Sequence, residues 1–212
     1  MSARAGEPQL RHVGLNLLDT DALEPGEAAT GLYGFWLFLM SDAILFALLF
    51  AIYGTQLTAT AGAPGPQDAF KIGPTFVETL ILLTSSLTFG LASIALKYDR
   101  GRTGLVLWLS VTLTLGIAFL GFEIGDFRTM FADGATPDRS GFLSAFFALV
   151  PTHGLHVAAG CLWIVVMLAQ IAVFGTDARF KLNLLKLGLF WHLLDIVWIA
   201  IFSVVYLQGT LA

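Results

Sequence analysis

The sequence predicts an all-α integral membrane protein, a bundle of five transmembrane helices with its N-terminus in the cytoplasm and its C-terminus outside. Three observations carry that expectation. First, 57% of the 212 residues are hydrophobic and only 12% are charged, against about 45–50% and about 25% in soluble domains; the mean hydropathy is +0.80. Second, five apolar stretches each reach the roughly 20 residues needed to cross a bilayer. Third, the cationic residues fall mostly on one side of those stretches.

The spans read as about 32–55, 72–97, 104–126, 141–174 and 184–208. Each is expected to be helical, because lipid offers nothing to the backbone of an open chain. The connections carry turn chemistry or charge: APGPQ (63–67), KYDRGR (97–102), RTMFADGATPDR (128–139) and GTDARFK (175–181). Residues 1–30 hold Arg4, Glu7, Arg11, Asp19, Asp21, Glu24 and Glu27, with Pro8, Pro25 and Gly26 as breakers. They lack an unbroken apolar core of the kind a secretory leader carries, and read as a polar cytoplasmic arm ahead of one membrane domain, 31–212. With five spans, Arg4, Arg11, Lys97, Arg100, Arg102, Arg179, Lys181 and Lys186 share one side, and only Lys71, Arg128 and Arg139 lie on the other. That asymmetry sets the orientation.

Composition also narrows function. No basic patch points to nucleic acid. The single cysteine, Cys161, cannot form an internal disulfide, and no Cys/His zinc pattern occurs. What stands out is a set of ionisable residues at membrane depth: Asp42, Glu78, Glu123, His153, His156, His192 and Asp195. A charged side chain at the bilayer centre costs about 2.5–3.5 kcal/mol or more, so such residues face protein, a partner or water. His153 and His156 share one face of span four, and His192 and Asp195 one face of span five, by their i, i+3 spacing. The simplest account is hydrogen bonding between helices. The span-four histidines could meet Glu78 or Glu123, and His192 could meet Asp195 or a neighbouring helix. A haem within the chain would need only one or two axial histidines, so the histidine count leaves it open. Asp42, with only Ser41 beside it in WLFLMSDAILFALLF, has two readings: a hydrogen bond to a neighbouring helix or subunit, or a proton-handling, lipid-adjacent carboxyl. Gly121 and Gly125 form a GxxxG pair, a signal for close helix packing.

Several stretches then match a known family in order: GFWLFLMSDAILFALLFA (34–51), FVETLILLTSS (76–86), GFE (121–123), PDRSGFLSAFFALV (137–150), THGLHV (152–157) and FWHLLDIVWI (190–199). The most specific are HGLHV and the WHxxDxxW of 191–198. From about Gly31 to its end the chain resembles subunit III of the haem–copper terminal oxidases, most closely the five-helix form found in bacterial cytochrome o ubiquinol oxidases. The resemblance implies a non-catalytic subunit with no cofactor or metal of its own. It implies packing against a catalytic subunit I that carries haems and copper, with subunits II and IV in the same complex, in the bacterial inner membrane, where the outer side that receives the C-terminus is the periplasm. It further implies a role in assembly and stability, and a bound phospholipid. Asp42 falls where the cytochrome c oxidase relatives usually carry a carbodiimide-reactive glutamate, one methylene longer. The other six residues match polar interior positions of the family. Three other functions compete: subunit III of a cytochrome c oxidase, a stand-alone proton transporter, and a haem-binding membrane anchor. The transporter reading suffers from an odd span count and the lack of inverted halves.

Overall fold

The computed structural model describes residues 25–62, 65, 72–98 and 102–211. Among them are five long helices: α1 (Pro25–Gln56), α2 (Ile72–Lys97), α3 (Arg102–Ala132), α4 (Gly141–Val173) and α5 (Ala178–Ile201). A π-helical segment, Phe202–Leu207, continues α5, and one last α-helical turn, Gln208–Leu211, follows. All five helices are long and apolar enough to span a membrane. Residues 1–24 of the arm and most of the 63–71 turn lie outside the described residues.

The helix faces explain why the fold needs lipid around it. Ile44, Leu48, Leu155 and Leu162 are more than 60% exposed, and a helix apolar on all sides has no solvent face. Helices α2, α3, α4 and α5 pack in a closed ring, α2 against α5. The first helix, α1, lies outside that ring against α4 and α5. Its central stretch is 17% buried against 50% for α5, so the last long helix is the centre of the bundle and the first is its edge.

Observed boundaries depart from the sequence reading at three ends. Helix α1 begins at Pro25, inside the segment read as an arm and at a residue read as a breaker. Proline's fixed φ and missing N–H suit the first helical position. Helix α3 runs on to Ala132, because Phe127 and Met130 continue its inward face; the loop read as 128–139 is correspondingly shorter. Helix α5 starts six residues early, at Ala178, where Asp177 caps it by accepting from the Phe180 N–H at 2.7 Å. Ser140 caps α4 in the same way, accepting from Leu143 N–H at 3.1 Å. At the other end of α4, the guanidinium of Arg102 donates to the Ile171 carbonyl, a favourable place for a cation.

Glycines set how close the helices come. A Cβ on Gly116 of α3 would lie 2.8 Å from Cys161 Sγ and 3.0 Å from the Trp191 ring. One on Gly160 of α4 would lie 2.9 Å from the same ring. The indole of Trp191 is therefore held between two bare backbones. The ring of Phe89 similarly fills a notch at Gly188. By contrast, a Cβ added at Gly121 or Gly125 would meet nothing within 4 Å. The GxxxG pair packs on no other helix among the described residues, contrary to the simplest expectation for it.

Replacing Gly160 with leucine should destabilise the folded chain by about 1–3 kcal/mol through overpacking. The change is read as a lowered midpoint of thermal unfolding in detergent. The same replacement at Gly121 should leave that midpoint within error.

Candidate functional site

The polar side chains form three groups, each built across helices. The first links α1 to α4. His156 Nε2 lies 3.1 Å from Asp42 Oδ1, and His156 Nδ1 lies 2.7 Å from the Thr152 carbonyl one turn earlier. A carbonyl only accepts, so Nδ1 carries a proton and donates it. Nε2 then has two options. It accepts from a protonated Asp42, or it carries a second proton and donates to a carboxylate. Either way one proton occupies the gap between the two side chains. Pro151 helps to shape this turn: it contributes no N–H to the α4 ladder, and Thr152 Oγ1 donates back to the Ala148 carbonyl at 2.6 Å. Phe46, one turn along α1 from Asp42, packs its ring edge-on at 5.1 Å from that of His156.

The second group joins α2 to α5. Trp198 Nε1 donates to Thr79 Oγ1 at 3.1 Å, and Trp191 Nε1 donates to Ser85 Oγ at 3.2 Å. Ser86 Oγ and His192 Nδ1 are hydrogen-bonded at 2.9 Å. Asp195 Oδ2 stands 3.5 Å from the same nitrogen, an electrostatic contact at the long limit of a hydrogen bond. Trp191 and His192 meet Ser85 and Ser86, while the later Trp198 meets the earlier Thr79, so the three links fix an antiparallel register. His192 differs from the other site residues in being half-exposed, whereas Asp195 is buried. His192 lines a shallow groove of about 160 Å³ together with Phe89, Leu96, Leu184 and Leu189.

The third group is fully interior. Glu78 of α2 and Glu123 of α3 are 1% and 4% exposed, within electrostatic reach of each other and of Asp126. His153 of α4 is completely buried. Its ring stacks on Trp198 at 5.3 Å and meets the edges of Phe119 at 6.0 Å and Phe46 at 6.3 Å. Glu123 lies against the α4 backbone beside it, since a Cβ on Gly154 would fall 2.7 Å from Glu123 Oε2. Neither imidazole nitrogen of His153, nor Glu78 Oε1, Glu123 Oε1 or Tyr53 Oη, has a hydrogen-bond partner among the described residues. An unpaired buried polar group costs about 1–3 kcal/mol. Together these five atoms would rival the whole stability of a typical domain, about 5–15 kcal/mol.

The sequence leaves Glu78 or Glu123 open as partners of the span-four histidines. The structure instead gives His156 to Asp42 and leaves His153 unbonded beside Glu123. His192 does meet both its own Asp195 and a neighbouring helix. Sequence reasoning missed the hydroxyl partners Thr79, Ser85 and Ser86, and also Tyr53. The available signal was an indole or imidazole on one apolar helix with a hydroxyl on another at matching depth. Among the described residues, no group of three or more His, Cys, Asp or Glu side chains could hold a metal ion.

Comparison with known proteins places this arrangement. The family model for cytochrome c oxidase subunit III matches residues 26–210. The chain belongs to the cytochrome c oxidase subunit III family. All seven site residues lie inside the matched region. Cytochrome bo(3) ubiquinol oxidase subunit 3 of Pseudomonas aeruginosa is 51% identical over 180 residues, covering 84% of this chain and 85% of that one. The corresponding subunit of Pseudomonas putida is 49% identical over 178 residues, covering 84% and 86%. Cytochrome c oxidase subunit 3 of Bacillus sp. PS3 is 41% identical over 177 residues, covering 83% and 84%. The five long apolar helices seen here thus belong to a subunit III membrane protein.

For the Asp42–His156 pair, removing His156 should destabilise the chain by about 3–5 kcal/mol, because Asp42 is left buried and unpaired; removing Asp42 should cost less, because His156 is only half-buried and keeps its bond to Thr152. Replacing both by leucine should recover most of that loss. A double-mutant cycle on unfolding in detergent, with Asp42→Leu, His156→Leu and the double variant, reads the coupling directly.

Proposed function

We propose that this chain is the non-catalytic subunit III of a proton-pumping bacterial ubiquinol oxidase, in which quinol oxidation is coupled to reduction of oxygen to water. The observation that carries the reading is the near-full-length identity of 51% and 49% to two cytochrome bo(3) ubiquinol oxidase subunits, against 41% to a cytochrome c oxidase subunit. In this reading subunit I holds the haems and copper, and subunits II and IV complete the complex in the bacterial inner membrane. The present chain supports assembly and stability of the catalytic subunit. Polar links between helices suit that task, since they hold a bundle in one register. The segment ahead of α1 lies in the cytoplasm and the C-terminus in the periplasm, as the Lys and Arg asymmetry favours. The shallow apolar groove between α2 and α5 offers a seat for one acyl chain of a phospholipid.

The complex, purified mildly from its native membranes through a tag on this chain, should show haem bands in a reduced-minus-oxidised spectrum. The chain purified alone should show none. Oxygen uptake should follow added ubiquinol. Uptake driven by reduced cytochrome c and not by ubiquinol would transfer the chain to a cytochrome c oxidase. Haem retained by the isolated chain would refute the cofactor-free reading. For topology, alkaline phosphatase fused after Ala212 should be active and the same enzyme inserted in the 97–102 turn inactive.

Within the complex, His192→Ala should lower the yield of assembled oxidase more than its turnover per haem. Normal assembly with lost turnover would contradict the architectural role.

A further inference from the structure

We propose that one or two water molecules bind internally beside His153 and bridge its imidazole to Glu123 and Glu78. The site lies within the ring of helices, where α2, α3 and α4 meet the end of α5. Four features of the site support it.

The first is the environment of His153. A neutral imidazole presents one N–H donor and one acceptor nitrogen. This one is completely buried, and its ring neighbours are Trp198, Phe119 and Phe46. Aromatic faces and edges pack against it but leave both of its nitrogens unbonded. The second is that four of the unpaired atoms, the two His153 nitrogens, Glu78 Oε1 and Glu123 Oε1, belong to neighbouring side chains. Glu123 sits against Gly154, the residue after His153, and interacts electrostatically with Glu78. Trp198, stacked on His153, is hydrogen-bonded to Thr79, the residue after Glu78. The polar groups therefore occupy one layer of the bundle.

The third argument is the chemistry of the occupant. The site needs a species that donates to a carboxylate oxygen and also serves either nitrogen of an imidazole. Water does both, and a buried water is held by two to four polar partners. A metal ion does not fit, because among the described residues no three ligating side chains converge. The fourth is Gly154. A side chain there would collide with the Glu123 carboxylate at 2.7 Å, so the bare backbone keeps that carboxyl beside the imidazole. If the layer were only a packing surface, phenylalanine at 153 would serve about as well as histidine, since well-packed apolar residues of similar volume often replace buried polar clusters at little cost.

The test uses the intact oxidase complex and is independent of which donor that complex oxidises. A cryo-EM map resolving ordered waters should show density within hydrogen-bond distance of His153 and at least one of Glu78 and Glu123. On heating, His153→Phe should shorten the half-life of the assembled complex about tenfold, the factor equivalent to about 1.4 kcal/mol. His153→Gln, which keeps a donor and an acceptor, should retain most of the parent half-life. A water-resolving map with no density between these side chains overturns the proposal. So does a phenylalanine variant as durable as the parent. Should the phenylalanine variant fail to assemble, the map of the unmodified complex decides alone.

Discussion

A polar side chain inside hydrocarbon has no water to fall back on, and this constraint organises the whole bundle. In a soluble protein a surface serine or histidine is indifferent to its neighbours. At membrane depth each one must find its hydrogen bond within the protein, and those that find it in another helix act as addresses. Thr79, Ser85 and Ser86 on α2 meet Trp198, Trp191 and His192 on α5. Asp42 on α1 meets His156 on α4. Five helices of nearly uniform greasiness could slide or rotate past one another at little cost. A handful of polar contacts removes that freedom.

Shape supplies the rest. Apolar attraction does not favour one helix over a lipid tail, so close approach and dispersion must hold the helices together. Trp191 shows how the two demands are met in one residue. Its indole N–H is committed to Ser85, while its ring fills the space left by Gly116 and Gly160. The hydrogen bond sets which way the ring points, and the glycines let three helices close around it. Neither would be specific alone.

Much of this is legible in the sequence. Five spans follow from hydrophobic length, and the limits of α2 at 72 and 97 coincide with those of its apolar stretch. The residues that matter are visible because ionisable groups are so rare in such stretches. Their pairing is not visible. Asp42 stands isolated in the sequence because its partner lies 114 positions away on α4. The separation of His153 from His156 is likewise tertiary. Two histidines on one helix face divide between a carboxylate and an aromatic cage only because Phe46, Phe119 and Trp198 arrive from three other helices. Helix ends are hidden for a different reason: α3 and α5 extend past the hydrocarbon, where hydropathy falls but capping and packing continue.

The central position of α5 bears on how the chain is made. Synthesis proceeds from α1 to α5, so the most buried helix leaves the ribosome last. Until it arrives, the notch at Gly116 and Gly160 has no indole in it, and the hydroxyls of Thr79, Ser85 and Ser86 have no ring donor or acceptor to meet. The nascent bundle is then a half-built arch with its keystone still in the tunnel. A ribosome stalled before Trp191 would leave a membrane-inserted chain with four helices and no centre, a ready substrate for membrane quality-control proteases.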